Sequence, residues 1–501
     1  MPLMVHNTLS RKKEPFLPLH PGEVKMYVCG ITPYDLCHIG HARATLVFDT
    51  VKKYLEYRGY RVTMVRNFTD IDDKIISRAA ALGVSWREVS DRFIQEYQKD
   101  MQALGLRSAT VEPRATDHIQ DMIEMIRVLE AKGYAYAVEG DVYFEVSKFP
   151  PYGKLSGRDP GQMLAGARVE IDARKRHPLD FALWKSSKEG EPSWESPWGR
   201  GRPGWHIECS VMAMKYLGET LDIHGGGADL IFPHHENEIA QSEAYSGKEF
   251  ARYWLHNGFV SVESEKMSKS LGNFFTIREA LAKYDAEALK LFLLSTHYRS
   301  PLDFSEKRMK EAQKALNRAR ATLQKAEEAA AGAEGHSEHG LSTELFSLLE
   351  EKERAFVEAM DDDFHTPRAI GVLFEGIRHL NGYLNEGVRD PALASMARRI
   401  RDLAGVLGVL QQEGEVNFVA DEEKVEVSWE DYGAARDRIE ISWQEGEDAR
   451  PEDIRTVLLW RGVARAKKDW ESSDEIRNWM KERGIHIEDT REGYYWRRIP
   501  R

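Results

Sequence analysis

Four side chains that bind metals well lie far apart in the chain: Cys29, Cys209, His234 and Glu238. His234 and Glu238 are four positions apart, so a helix there would present both on one face. With Cys29 and Cys209 they make a donor set of the kind that holds tetrahedral zinc. The spacing leaves a plainer reading open, in which the two cysteines are buried thiols and His234 and Glu238 a helix-surface pair. His235 and His224 also compete for the imidazole position. A zinc ion with an exchangeable position binds a thiolate far better than a hydroxyl. It would separate cysteine from serine, a near-isosteric pair that shape discriminates poorly.

A second chemistry sits close to Cys29. His38-Ile39-Gly40-His41 follows a short apolar strand, Met26-Tyr27-Val28, and a turn through Gly30 and Pro33. A helix starting at His38 would offer free backbone N–H groups and a positive dipole end, which suit phosphate. The two imidazoles can donate to phosphate oxygens, and Gly40 lets a nucleotide approach the backbone. Downstream, Lys266-Met267-Ser268-Lys269-Ser270 places two lysines and two serines in a short polar loop, suited to a mobile clamp on a polyphosphate. Alone, the first motif is an ordinary turn and the second a solvated basic loop. Together in one α/β chain they point to a nucleoside triphosphate.

The elements that must position these groups alternate. Residues 25–29 read as a strand, 38–57 as a helix with Leu46, Val47, Val51 and Leu55 on its apolar face, and 61–66 as a second strand. A helix is expected from near Asp70, capped by Thr69 or Asp70. This is the start of a doubly wound parallel sheet, which binds ligands at the carboxyl ends of its strands. Cys29, Gly30, Thr69 and Asp70 fall at such ends. Residues 134–203 read as an insertion. The α/β pattern resumes with a helix at Trp205–Cys209, a strand at Leu221–His224, a loop at Gly225-Gly226-Gly227, a helix carrying His234 and Glu238, and a strand around Tyr253–Val260. From about 276 the chain reads as helical. It includes a basic helix at 305–330 that could contact a nucleic-acid backbone, a linker near 329–341, and three helices near 342–361, 367–386 and 391–409. Residues 411–450 are acidic and weakly periodic. Residues 452–501 read as two helices and a β-like end.

Composition sets the bounds. The 501 residues carry 70 basic and 82 acidic side chains, a formal charge of −12, so any nucleic-acid contact must be local. No apolar run is long enough to cross a membrane, and the first residues lack an apolar signal core. Three cysteines, an odd and sparse count, argue against a disulfide framework and for a reducing cytoplasm.

Seven stretches resemble class I aminoacyl-tRNA synthetases, and among them the cysteinyl-tRNA synthetase family. They are MYVCGITPYDLCHIGHAR, NFTDIDDKI, PGWHIECS, DIHGGGADLIFPHHENEIAQSEA, KMSKSLGN, ARAKKDWESSDEIR and GIHIEDT, spread over nearly the whole chain. The resemblance implies an α/β protein: a doubly wound parallel (Rossmann-type) nucleotide-binding domain with an insertion, then an α-helical bundle and a small α+β C-terminal domain. The expected divisions are 1–115 and 204–260 for the two catalytic halves, 116–203 for the connective insertion and 261–304 for the KMSKS loop and stem-contact region. The bundle follows at 305–410, an acidic insertion or linker at 411–451 and an anticodon-binding domain at 452–501.

The resemblance also implies roles. Cys29, Cys209, His234 and Glu238 would hold one zinc per subunit, and no editing domain would be needed. Gly30, Thr69, Trp205 and His224 would line the site for L-cysteine. His38, Gly40, His41, Lys266, Ser268 and Lys269 would bind ATP with Mg²⁺, with His38, His41, Lys266 and Lys269 catalytic. Arg465, Trp470, Asp474, Arg477 and Asp489 would read the anticodon of tRNA(Cys); arginine and aspartate suit base edges, and tryptophan an unpaired base. A cytoplasmic monomer is expected. Some family members carry KIIK after the paired aspartates; this chain has Lys74-Ile75-Ile76-Ser77, which disfavours any side activity using the second lysine. Two rivals are a ligase passing activated cysteine to a sugar amine and a non-catalytic RNA-binding relative. The 452–501 region speaks against the first, and the intact HIGH, KMSKS and zinc motifs against the second. Lys269→Ala is expected to slow ATP–pyrophosphate exchange by orders of magnitude, as loss of a transition-state charge contact should; a near-wild-type rate would remove the clamp role.

Overall fold

Runs of Val, Ile, Tyr and Met that are apolar on both faces make strands for the middle of a parallel sheet. The computed structural model describes residues 2–158, 173–262, 265–266, 275–331, 339–411, 417–420, 429–445, 450–466, 469–489 and 493–498. A hairpin of β1 (Met4–Asn7) and β2 (Lys12–Pro15) leads into β3 (Glu23–Ile31), α1 (Ile39–Tyr57) and β4 (Arg61–Phe68). Helices α2 (Asp73–Leu82), α3 (Trp86–Ala103) and α4 (Ile119–Ala131) follow. Next come β5 (Ala135–Val138), β6 (Asp141–Phe144), β7 (Phe181–Ser186) and β8 (Gly201–Pro203), which form an antiparallel sheet of their own. Helix α5 (Trp205–Leu217), β9 (Leu221–Gly227), α6 (Glu236–Ser246) and β10 (Ala251–Asn257) return the chain to the parallel sheet.

The parallel sheet has the order β10-β9-β3-β4. Tyr27 sits in register between Val65 and His224, so Cys29 emerges between the ends of β4 and β9. One face packs Tyr27, Val65 and Trp254 against Ile207, Cys209 and Met212 of α5. The order places two strands distant in sequence on either side of β3. That adjacency brings the two halves of the chain to one site.

Two local expectations change. Neither Thr69 nor Asp70 caps α2. Asp72 does, accepting from the Lys74 N–H at 2.8 Å. Strand pairing runs on instead: the Thr69 N–H donates to the Ile31 carbonyl at 3.0 Å. The Asp70 carboxylate is buried and takes the Thr116 N–H and hydroxyl at 2.9 and 2.6 Å. Gly225-Gly226-Gly227 is not a loop but the end of β9, paired with Leu255–Asn257. Phe48 of α1 explains the first glycine, since a Cβ on Gly225 would lie 2.2 Å from its ring.

The chain continues through β11 (Val260–Val262), β12 (Glu265–Lys266), α7 (Ile277–Lys283), α8 (Ala286–Leu294) and β13 (Leu302–Phe304). Long helices follow: α9 (Glu306–Ala331), α10 (His339–Asp361), α11 (Thr366–Asn385) and α12 (Pro391–Val406). The centre of the expected linker, 332–338, lies outside the described residues. Then come β14 (Asn417–Ala420), α13 (Trp429–Glu445), α14 (Pro451–Ala466), α15 (Trp470–Glu482), β15 (Ile485–Asp489) and β16 (Gly493–Arg498). The described part of the acidic 411–451 segment is built into this end of the chain. β14 pairs antiparallel with β16. Tyr432, Ala435 and Ile439 of α13 share a core with Ile454, Leu458, Met480 and Trp496. Those three are spaced as one helix face, a pattern masked by the acidic residues around it.

Two compact units result. One comprises Met1–Gln313, Ser347–Gly376 and Arg399–Val409; the other comprises Lys314–Phe346, Ile377–Arg398 and Leu410–Arg501. Within the first, the buried Asp363 carboxylate accepts from the His6 N–H, the Tyr298 hydroxyl and Arg299 Nε at 2.8, 2.8 and 2.7 Å. His297 joins it through Nε2, 3.0 Å from the Asp363 carbonyl. Burial lowers the His297 imidazole to about 4, against the opposing pull of Asp363. Its folded pKa is thus below the unfolded value of about 6.5, and its share of stability is complete above that value and is lost as pH falls toward 4. Acidification from about pH 7 to pH 5 is therefore expected to lower the melting temperature, and less steeply in His297→Gln. Parallel slopes in the two proteins would show that His297 is not part of the acid response.

Candidate active site

The end of β3 carries Cys29 because Gly30 follows it. A Cβ on Gly30 would stand 1.6 Å from the Asn67 carbonyl oxygen, so only glycine lets β3 and β4 close up here. Cys209 comes from α5, the helix capping this end of the sheet. His234 and Glu238 are not both in a regular helix, as the sequence suggests. His234 lies in a π-type turn, Ile231–His235, with extended backbone at Phe232, and Glu238 lies in the first turn of α6. The pairing survives: His234 Nε2 is 2.9 Å from Glu238 Oε1.

Cys29 Sγ is 3.8 Å from Cys209 Sγ and 3.4 Å from Glu238 Oε1. All donor atoms of Cys29, Cys209, His234 and Glu238 lie within 4.8 Å of one another. In tetrahedral zinc sites, Zn–S bonds of about 2.3 Å and Zn–N or Zn–O bonds of about 2.1 Å hold S···S, S···O and N···O pairs roughly 3.8, 3.6 and 3.4 Å apart. The sulfur–sulfur and sulfur–carboxylate separations fit such an ion, and His234 Nε2, 2.9 Å from Glu238 Oε1, would open by about half an ångström to join it. A second set, Cys29, His224, His235 and Glu238, also meets the distance limit. It shares Cys29 and Glu238 with the first but has one sulfur instead of two.

The donors differ in their acid–base balance. Glu238 is wholly buried, yet His224 and His234 hold its carboxyl well below the usual range against the cost of burial. Burial opposes protonation of His234, but Glu238 and Cys209 carry it up to about 10. A hydrogen bond from the Cys29 thiol lowers Cys209 to about 6, while burial pushes the Cys29 thiol itself up. Cys209 thus favours the thiolate that a metal requires. His235 behaves differently, since burial drives it to the neutral form. It stands in a chain of neutral partners: Nε2 is 3.3 Å from Cys29 Sγ, Nδ1 is 2.8 Å from His256 Nε2, and His256 Nδ1 is 2.8 Å from the Thr8 hydroxyl.

The other expected cysteine-site residues gather around this centre. The Trp205 ring is 40% exposed and stacks on His234 with centroids 4.2 Å apart. His224 Nε2 is 2.8 Å from Glu238 Oε2, and its ring stacks on Trp254. The Gly30 N–H donates to Asn67 Oδ1 at 3.0 Å, and Asn67 Nδ2 donates to the Thr69 hydroxyl at 3.2 Å. Asn67 and His206, whose Nδ1 is 2.9 Å from His234 Nδ1, escaped the sequence reading. Both sit inside stretches that carry the resemblance, NFTDIDDKI and PGWHIECS, but their contacts here come from the strand order and from the turn before α6.

His38 and His41 form a reciprocal cap on α1. The Gly40 N–H donates to His38 Nδ1 at 3.0 Å, and the His38 N–H donates to His41 Nδ1 at 3.2 Å. With both Nδ1 atoms accepting, the neutral rings carry their protons on Nε2. The rings stack with centroids 3.9 Å apart. Two parallel N–H donors on a helix N-terminus suit an anion.

Lys266 lies in β12; Ser268 and Lys269 lie outside the described residues. The segments flanking them are tied to α1. After the loop, the Ile39 N–H donates to the Phe275 carbonyl at 3.2 Å and the Ile277 N–H to the Cys37 carbonyl at 3.1 Å. Before it, Arg43 Nη1 donates to the Gly258 and Phe259 carbonyls at 3.0 and 2.8 Å, and Nη2 reaches the Ser300 carbonyl at 2.7 Å. Arg43 is fully buried.

The residues expected at the anticodon lie in the other compact unit. Trp470, 60% exposed, opens α15, and Asp474 and Arg477 lie on the same face, paired at 3.0 Å. Arg465 is half-buried near the end of α14, and Asp489 ends β15. Arg43→Met should cost about 3 kcal/mol or more, because several buried carbonyls lose a charged donor. Thermal unfolding measures this, and an unchanged melting temperature would show that the Arg43 contacts do not hold the two segments together.

A family profile described as the tRNA synthetases class I (C) catalytic domain matches residues 15–314, and a DALR domain profile matches residues 355–411. A cysteine–tRNA ligase of Geobacter metallireducens is 53% identical over 99% of this chain and 100% of its own length. One of Geobacter sulfurreducens is 52% identical with the same coverage. Among solved structures, a leucyl enzyme from Agrobacterium radiobacter, in a ternary complex titled LeuRS-tRNA-LeuAMS, aligns with a TM-score of 0.59 at 12% identity, over 78% of this chain and 84% of that one. Mycobacterium tuberculosis methionyl-tRNA synthetase with methionyl-adenylate aligns at 0.54 and 17% identity, over 77% and 89%. At such identities the two structures establish a shared fold.

Proposed function

The chain belongs to the cysteine–tRNA ligase family of class I aminoacyl-tRNA synthetases, and we propose that it activates cysteine with ATP and passes it to the 3′ end of tRNA(Cys). The observation that carries the cysteine specificity is the group Cys29, Cys209, His234 and Glu238, gathered at the end of β3, the strand that leads into the His38 and His41 cap of α1. Cys29, Cys209, His234 and Glu238 would hold one zinc ion, which when bound supplies a soft Lewis acid that takes a thiolate in preference to a hydroxyl. The two-sulfur set is favoured over the one with His224 and His235 because it offers zinc two sulfur donors instead of one. His224 then anchors Glu238, and the Trp205 ring covers His234.

Cysteine lies with its backbone against Gly30 and Thr69. Its carboxylate is already ionised and needs no general base. It attacks the α-phosphorus of ATP, the bond to the bridging oxygen breaks, and pyrophosphate leaves with cysteinyl-adenylate formed. The chain's part is positioning and charge stabilisation. His38 and His41 donate through Nε2 to phosphate oxygens, Gly40 admits the nucleotide, and Lys266, Ser268 and Lys269 engage the triphosphate with Mg²⁺. The terminal adenosine hydroxyl of tRNA then takes the acyl group, and AMP leaves. In the second compact unit, Trp470, Asp474 and Arg477 form a face suited to an unpaired base, with Arg465 and Asp489 as further contacts. Among the described residues no helix is long and apolar enough to cross a membrane. A cytoplasmic location agrees with three unpaired cysteines, and the chain is proposed to act as a monomer.

The deciding experiment is cysteine-dependent ATP–pyrophosphate exchange with serine as competitor, followed by charging of tRNA. Cysteine should support both steps and serine neither. Cys209→Ser should lose zinc on elemental analysis together with cysteine activation, and retention of both would sink the metal assignment. Exchange without tRNA charging would favour transfer to another acceptor, such as a sugar amine.

A further inference from the structure

Arg66 stands on the opposite face of β4 from the cysteine site. Its neighbours Val65 and Asn67 point toward Cys209, so strand alternation sends Arg66 toward α3. There its side chain meets a cavity of 360 Å³ between α3, the turn after it and the strand-like segment at Val111. That volume falls in the range of small-molecule sites, roughly 300–1,000 Å³. Arg66 is 3% exposed. Nη1 donates to the Tyr97 hydroxyl at 3.4 Å. Nη2 is buried and has no hydrogen-bond partner among the described residues.

A guanidinium is always charged, and leaving one buried without a counter-charge is strongly unfavourable. Arg43 shows how this chain treats a cation that serves only packing, surrounding its Nη atoms with carbonyls. Arg66 receives no such treatment. The nearby acid does not supply the counter-charge, because the Glu112 carboxylate accepts from the Ala109 N–H at 3.1 Å and forms no ion pair with Arg66 among the described residues. The rest of the lining that can contact a ligand is donor-rich: Arg107, Gln98, Gln102 and Ser108. A guanidinium fork matches two oxygens of a carboxylate or phosphate, and Nη2 of Arg66 has no partner among the described residues.

We propose that this cavity is a second ligand site, in which Arg66 binds the carboxylate or phosphate group of a small polar metabolite. Arg107 at the rim, whose Nη1 pairs with Glu56 at 3.3 Å, turns its remaining donors to the ligand, and the glutamines and Ser108 contact the polar remainder. The site is separate from the chemistry assigned above and stands whether or not that assignment holds.

Isothermal titration of the full chain, with its catalytic site filled by a non-hydrolysable aminoacyl-adenylate analogue, tests this. Inorganic phosphate and malonate serve as separate probes, so the two arms tell phosphate from carboxylate. At least one should bind, and Arg66→Met should weaken it about tenfold or more, as loss of a charged hydrogen bond predicts. ATP–pyrophosphate exchange should be retained in that variant. Should Arg66→Met fail to fold, Arg107→Glu at the rim decides, with weaker binding expected. Crystals soaked in the same anion should show it on the Arg66 guanidinium. Absence of binding by both probes, equal binding in wild type and the folded variant, or only water at Arg66 would overturn the proposal.

Discussion

A carboxylate with no access to water, Glu238, sets the terms for the centre of this molecule. A buried charge is tolerated only when its oxygens are met by partners of opposite sign or by a metal. Here Oε2 faces His224 and Oε1 faces His234 and Cys29. These partners arrive on β9, on the turn before α6 and on β3. The sheet order β10-β9-β3-β4 lets them converge, because it makes β9 a direct neighbour of β3. Shifting either strand by one residue would turn the inward side chains outward and leave the carboxylate uncompensated.

The same geometry links the two chemistries. Cys29 and the cap of α1 lie on one continuous segment, separated by a single turn. The imidazoles of His38 and His41 spend Nδ1 on the Gly40 and His38 N–H groups, which orients both Nε2–H groups at the helix start. Arg43, one helical turn further on, extends this unit to the residues flanking the expected clamp loop. A change in the position of α1 would thus act on sulfur recognition, phosphate binding and the loop anchors together.

Much of this was legible in one dimension. The alternation of strand and helix over residues 25–68 follows from apolar periodicity, and the doubly wound sheet from that alternation. The donor chemistry of Cys29, Cys209, His234 and Glu238 follows from residue type. Other features were concealed for identifiable reasons. Gly225-Gly226-Gly227 has the composition of a loop, yet Phe48 and two flanking strands make it sheet. Asp70 has the composition of a helix cap, yet its burial against Thr116 gives that task to Asp72. The apolar face of α13 is diluted by acidic neighbours, and only its packing against Ile454 and Trp496 makes it part of a core.

By itself, then, the sequence determined the chemistry on offer: which side chains could ionise, ligate or donate, and which segments were strand or helix. It could not rank His234 against His235 without a resemblance, because adjacent histidines differ only in direction. The tertiary structure supplied the direction. The irregular turn at Ile231–His235 places His234 against Glu238 under the Trp205 ring, and His235 in the neutral chain to His256 and Thr8. It also decided the contacts of Asn67, Arg43 and Arg66, whose types alone single out no role. Their neighbours come from elements remote in sequence, and only strand order and packing bring such elements together.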